Sequence, residues 1–142
     1  MAQVSIVMES LAENISFARV AVTAFISPLD PGVGEITDIK TAVSEAVTNA
    51  IIHGYPDARA KGQVRMTISY EGRAVKIEIA DDGVGISDIN MARQPLFTTK
   101  EEMERSGLGF TVMESFMDKV IVESTPLAGT TVTLFKTLAS QG

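Results

Sequence analysis

The sequence predicts an α+β fold, a two-layer sandwich with helices packed on one face of a mostly antiparallel sheet. Three observations predict it. Short runs alternate apolar and polar residues, as at Val4, Ile6 and Met8 or at Val64, Met66, Ile68 and Tyr70, which is strand periodicity. Runs at helical spacing occupy about residues 11–27, 35–53 and 108–117. The resulting order, β-α-α-β-β-loop-α-β-β, is that of helices laid together against a sheet. With 142 residues, the chain fits one domain spanning residues 1–142. A fold of that size removes about 70% of its unfolded surface from water, enough for a sizeable core.

Each element has a local reason. The first strand carries Val4, Ile6 and Met8. Phe17, Val20, Ala21, Ala24 and Phe25 then follow the i, i+3, i+4 rule and mark the expected apolar face of the first helix. Pro28, Pro31, Gly32 and Gly34 break the chain. The second helix is expected from about residue 35 to His53, stopped by Gly54 with Pro56 just beyond. Val64–Tyr70 alternation and that of Val75, Ile77 and Ile79 flank Glu71-Gly72, which reads as a hairpin. Residues 81–109 hold four of the eleven glycines, a charged run at 100–105 and few periodic apolar residues. A loop so long inside a compact domain is usually functional or disordered. A third helix and two strands near 119–123 and 130–137 complete the chain, the strands turning through residues 126–129.

Composition excludes several classes. Hydrophobic residues at 45% and charged residues at 21% rule out a disordered tail. Twelve basic against eighteen acidic residues give a net charge of −6, which argues against binding nucleic acid by phosphate neutralisation. No apolar run exceeds three residues, so neither a membrane-spanning helix nor a signal-peptide core is expected, and a cytoplasmic location is. Cysteine is absent and histidine occurs once, which removes disulfides, zinc-thiolate sites and histidine metal clusters.

Four constellations carry chemistry. Glu45, Asn49 and His53 recur at i, i+4 and i+8 along a stripe bordering the apolar arc of the second helix, so a carboxylate and an amide one turn apart can face a ligand together. A solvated face of an amphipathic helix has the same composition. Asp81-Asp82-Gly83-Val84-Gly85 leaves a strand, where an acidic side chain is placed to accept from an exocyclic amine and glycines let backbone approach a flat ring. An ordinary Asp-Gly turn reads the same way. Arg105-Ser106-Gly107-Leu108-Gly109-Phe110 opens a helix, whose free N–H groups make an anion site without a lysine. A glycine hinge is the alternative. Gly129-Thr130-Thr131 enters the last strand, where a threonine hydroxyl can orient a water beside Asp81, although β-propensity also accounts for threonines there. Neither a Rossmann fingerprint nor a P-loop occurs.

In order and spacing, the Glu45-x-x-x-Asn49 helix, Asp81-x-Gly83-x-Gly85, Gly107-Leu108-Gly109 and Gly129-Thr130-Thr131 resemble the motifs of the GHKL superfamily of ATPases and kinases. Residues 16–20, 44–55 and 92–100 are more narrowly similar to the anti-sigma F family of endospore-forming bacteria, ATP-dependent serine kinases. The resemblance implies the two-layer Bergerat-type ATP-binding fold with its ATP lid at about residues 86–106. It implies that Asp81 accepts from the adenine amino group with Thr130 in support, that Gly83 and Gly85 border the adenine, and that Asn49 holds Mg²⁺. It further implies Glu45 as the general base, phosphates cradled by Ser106, Gly107, Leu108 and Gly109, and Thr98, Thr99, Lys100 and Arg105 as polar lid residues near ATP. The implied partners are a sigma factor and an anti-anti-sigma factor that is phosphorylated on serine, with a homodimer expected and no direct nucleic-acid or membrane contact. Arg19, on the polar side of the first helix, is the candidate partner contact, with an exposed arginine on a solvated face as the alternative. Two other functions stand beside this one: a stress-response anti-sigma kinase of the same subfamily, and a nucleotide-gated binding module without phosphotransfer. The second of these leaves the carboxylate of Glu45 without a task.

Overall fold

Alternation builds the sheet. In the computed structural model, which describes residues 1–53, 55, 62–83, 107–126 and 128–140, strands β1 (Ala2–Glu9), β2 (Gln63–Glu71), β3 (Ala74–Asp81), β4 (Lys119–Thr125) and β5 (Gly129–Thr137) form one sheet. Their order is β1-β2-β3-β5-β4, and all four pairings are antiparallel. Gly72 turns the β2–β3 hairpin at φ 58°, a left-handed conformation that favours glycine. Successive side chains point to opposite faces, so Val64, Met66 and Ile68 on β2 share one face with Val75, Ile77 and Ile79 on β3. All six are buried.

Helices α1 (Asn14–Ile26), α2 (Val33–Thr48) and α3 (Gly107–Phe116) contribute to the same core. On α2 the buried set is Ile39, Ala42, Val43, Ala46 and Val47, the arc expected from the sequence. The α1 expectation needs correction. Ala18, Val22 and Ile26 are its buried residues, whereas Phe17 and Val20 are 50% and 65% exposed. Apolar residues surround much of α1, so periodicity alone does not select the packed face. The small Ala18 and the i, i+4, i+8 spacing through Val22 and Ile26 do.

The second helix also differs from expectation beyond Thr48. It is not α-helical to His53: residues Asn49–His53 form a π turn, with the Asn49 N–H directed at the carbonyls of both Ala46 and Glu45. A π turn rotates the residues that follow it relative to an α-helical count. Such insertions occur frequently at functional sites.

At the other end of α2, the Glu35 carboxylate joins three segments. Its Oε1 accepts from the Gly32 N–H at 2.9 Å and its Oε2 from the Ala139 N–H at 2.8 Å. Arg73 completes the clamp by donating to the carbonyls of Ala139 at 2.6 Å and Leu29 at 2.9 Å. The Ala139 N–H first, and then the Gly32 N–H, hold the Glu35 carboxyl below its ordinary pKa.

Candidate functional site

The apolar rows of the sheet end in a polar one. Met66, Ile79, Val132 and Val122 lie in register across β2, β3, β5 and β4 and are buried. Two residues along each strand, the next row on that face is Val64, Asp81, Thr130 and Ser124. Asp81 is 8% exposed, and its Oδ1 accepts the Gly83 N–H at 2.9 Å. The Asp-Gly segment thereby turns back on the carboxylate that precedes it. Ser124 Oγ donates to the Gly129 carbonyl at 3.1 Å and lies 2.8 Å from Thr130 Oγ1. With the serine proton on that carbonyl, Thr130 is the donor of the hydroxyl pair and keeps lone pairs to accept from a ligand or water.

Gly129 makes this arrangement possible. Its φ is 112°, and an added Cβ would overlap the Asp81 carbonyl oxygen and crowd the Asp82 Cα. Only glycine brings β5 so near the end of β3 and sets Thr130 opposite Asp81.

The second half of the site lies between α2 and α3. Glu45, in the last turn of α2, and Asn49, which opens the π turn directly after it, stand one turn apart and half-buried. Gly109, in the first turn of α3, is buried against them: a Cβ there would stand 3.2 Å from Asn49 Nδ2 and 3.5 Å from Glu45 Oε2. Burial pushes the Glu45 carboxyl above its ordinary pKa, because removing it from water disfavours the charged form. Among the described residues, Asn49 Nδ2 is buried without a hydrogen-bond partner. A buried amide with an unpaired end is costly in a closed core and serviceable where a ligand completes it.

That amide is the fit test for a metal. Rotating it by half a turn exchanges nitrogen for oxygen, and an oxygen there suits Mg²⁺, which commonly takes one or two protein ligands and completes its shell with water and phosphate. Among the described residues there is no cluster of three or more His, Cys, Asp or Glu side chains. The donor set therefore fits a lightly held Mg²⁺ beside phosphates. The start of α3 adds N–H groups without intrahelical acceptors, the usual means of holding an anion at a helix N-terminus.

Of the residues singled out in the sequence, Glu45, Asn49 and Gly109 are adjacent, and Asp81, Gly83 and Thr130 form the sheet end of the site. Gly107 and Leu108 begin α3. Gly85, Thr98, Thr99, Lys100, Arg105, Ser106 and the segment 86–106 lie outside the described residues. Arg19 stands in a separate groove of about 150 Å³ between α1 and α2, with Thr37, Lys40, Thr41 and Ser44. Sequence reasoning missed Ser124 and Tyr55. Counting back through the β4–β5 hairpin from Thr130 would have found the first.

Comparison with known proteins follows the same outline. Residues 8–136 match the family model described as a histidine kinase-like ATPase domain. The anti-sigma F factor of Bacillus licheniformis is 54% identical over 137 residues, covering 96% of this chain and 93% of the relative. That of Bacillus subtilis (strain 168) is 55% identical over 130 residues, covering 92% and 88%.

The chain belongs to the anti-sigma F factor family.

The fold of this family member extends to more distant structures. The RsbU and RsbW domains of a Mycobacterium tuberculosis protein align with a TM-score of 0.72 at 20% identity, covering all of this chain and 34% of the other. The catalytic domain of the histidine kinase ThkA aligns at 0.57 with 18% identity, covering 97% of each chain. This anti-sigma F family member thus carries a nucleotide-binding ATPase domain of the histidine kinase-like type. No helix among its described residues is long and apolar enough to cross a membrane.

Proposed function

We propose that the protein is an ATP-dependent anti-sigma factor that binds and inhibits a sporulation sigma factor and phosphorylates a serine of its anti-anti-sigma antagonist. The observation that carries the catalytic part is Glu45: a carboxyl with a raised pKa, one turn from Asn49 and against Gly109. Binding a nucleotide does not require that carboxylate, whereas transfer to a serine hydroxyl does.

In this reading Asp81 accepts from the adenine amino group, and Thr130 supports it through its hydroxyl. Gly83 and Gly85 keep side chains away from the ring. Ser106 and the first residues of α3, Gly107, Leu108 and Gly109, receive the phosphates on backbone N–H groups. Asn49 holds Mg²⁺ through its amide oxygen, and the ion supplies neutralisation of phosphate charge. Glu45 takes the proton from the partner's serine hydroxyl as its oxygen bonds to the γ-phosphorus. The bond from that phosphorus to the β–γ bridging oxygen breaks, and ADP leaves with the bridging oxygen. The lid at 86–106 closes over ATP with Thr98, Thr99, Lys100 and Arg105 contributing polar contacts, and residues 1–142 act as one domain.

Arg19 is the partner contact in this proposal. It and Lys40 line one groove, and among the described residues neither is within 4 Å of a carboxylate. Two unpaired cations on a chain of net charge −6 suit an acidic partner surface. A cytoplasmic homodimer completes the picture.

The test is transfer of the ATP γ-phosphate to a serine of the cognate antagonist, comparing the wild type with Glu45→Ala and measuring ATP binding in parallel. Serine phosphorylation that the substitution removes while binding survives supports the kinase and its base. Tight ATP binding by the wild type without transfer to any antagonist assigns the site to a nucleotide-gated binding module.

A further inference from the structure

Tyr55 is the residue that the proposed mechanism leaves without a task, and its contacts join both halves of the fold around Asp81. It lies two residues beyond the π turn, half-buried against the core. Its hydroxyl donates to the Gln63 carbonyl at 2.7 Å and accepts the Asp82 N–H at 2.9 Å. One oxygen thus ties the first residue of β2 to the residue directly after Asp81. The ring is seated as specifically as the hydroxyl. A Cβ on Gly62 would overlap three of its ring carbons, so the aromatic face lies directly on glycine backbone. Gly62 is itself fixed, donating to Ser10 Oγ at 3.0 Å and accepting the Ser10 N–H at 2.9 Å.

The consequence falls on the Asp81 turn. The Gly83 N–H orients the Asp81 carboxylate from one side of Asp82, and the Tyr55 hydroxyl holds the Asp82 N–H between them. Freeing that N–H lets the turn rotate, and the carboxylate loses its aim before it loses its burial. The fold itself does not need the bond, because the Asp82 N–H is exposed enough for water to replace the hydroxyl.

We propose that Tyr55 is a positioning residue for purine selection: seated on Gly62, its hydroxyl fixes the turn that aims Asp81 at the exocyclic amine of the base. This rests on the reading of the site as an ATP site. Inosine triphosphate is the discriminating probe, because it presents a carbonyl where adenine presents an amine, and a carboxylate repels that oxygen.

The experiment is calorimetric binding of ATP and of inosine triphosphate, each with Mg²⁺, to the full chain and to Tyr55→Phe, Gly62→Ala, Asp81→Asn and the Tyr55→Phe/Asp81→Asn double variant. The wild type is expected to prefer ATP, and Asp81→Asn to abolish the preference. Tyr55→Phe should weaken ATP by about threefold to tenfold, the worth of one net hydrogen bond, and leave inosine triphosphate nearly unchanged. Gly62→Ala, which unseats the ring without touching its hydroxyl, should reproduce that pattern. The double variant should lose no more ATP affinity than Asp81→Asn alone.

Wild-type discrimination retained in Tyr55→Phe overturns the proposal. So does an equal loss for both nucleotides, which is what a purely structural role produces. A wild type that binds neither nucleotide overturns the ATP-site reading and this assignment with it, an outcome distinct from the failure of Tyr55 alone.

Discussion

Gly109→Ala separates what the fold needs from what the site needs. Gly109 lies within α3, where alanine is favoured over glycine by about 1 kcal/mol. Against this gain, the new methyl stands 3.2 Å from Asn49 Nδ2 and 3.6 Å from its Oδ1, so the amide must yield by a few tenths of an ångström. The two effects oppose each other, and unliganded stability should change by less than about 1 kcal/mol. Nucleotide binding has no such compensation, because the methyl occupies the space beside the amide and carboxylate to which the proposed mechanism brings the phosphates. Losing one ligand-quality contact weakens binding by at least about tenfold. At a concentration of one hundred wild-type Kd, bound nucleotide stabilises the wild type by about 2.7 kcal/mol, and a tenfold weaker variant by about 1.4 kcal/mol. For 142 residues the unfolding entropy at the midpoint is about 0.3 kcal/mol/K, so the ligand-induced rise in Tm should shrink by about 4 °C. Thermal denaturation of both proteins with and without ATP reads this directly. A variant that melts as the wild type does in both conditions refutes the adjacency of Gly109 to the nucleotide.

Three further outcomes follow from the same contacts. Because the folded-state pKa of Glu45 is raised, the native protein binds more protons than the unfolded chain between the ordinary glutamate value, about 4.3, and that raised value, so the contribution of Glu45 to stability falls as pH rises through this window. Glu45→Gln should therefore be more stable than the wild type at neutral pH in urea titrations, while phosphotransfer disappears. Glu35 has the opposite sign: its contribution is fully present above the ordinary glutamate pKa and is lost as pH falls through its depressed folded value. Glu35→Gln should cost about 1 kcal/mol at neutral pH, much less in acid, and leave ATP affinity unchanged. Gly129→Ala should destabilise the fold by at least about 2 kcal/mol in the same titrations, since a φ of 112° is strained for alanine and its methyl overlaps backbone.

Much of this fold is legible because its strands alternate cleanly and its breaks are marked by glycine and proline. The β2–β3 hairpin, the two terminal strands and the buried arc of α2 all follow from spacing. The packed face of α1 does not, because Phe17 and Val20 are as apolar as the residues that are buried, and only tertiary packing favours Ala18 and Val22. The π turn at Asn49 is invisible for a related reason: Asn49-Ala50-Ile51-Ile52-His53 has no residue that forbids an ordinary α-helix. Within the site, Glu45, Asn49, Asp81 and Thr130 stand out by chemistry at fixed spacing. Tyr55 and Ser124 act through backbone and hydroxyl contacts between segments far apart in sequence, and no local pattern announces such contacts.

The placement of β3 and β5 has a kinetic consequence. Each is flanked on both sides by antiparallel neighbours, whereas β1 and β4 are the edges. Asp81 and Thr130 therefore sit on the interior strands, whose amides should be among the slowest to exchange with deuterated solvent. Glu45, Asn49 and Gly109 sit where a π turn meets the first turn of a helix, a junction with weaker internal bonding that should exchange early. In the proposed site one nucleotide would bridge a rigid wall and a looser one, and its arrival should be recorded as new protection almost entirely on the looser side.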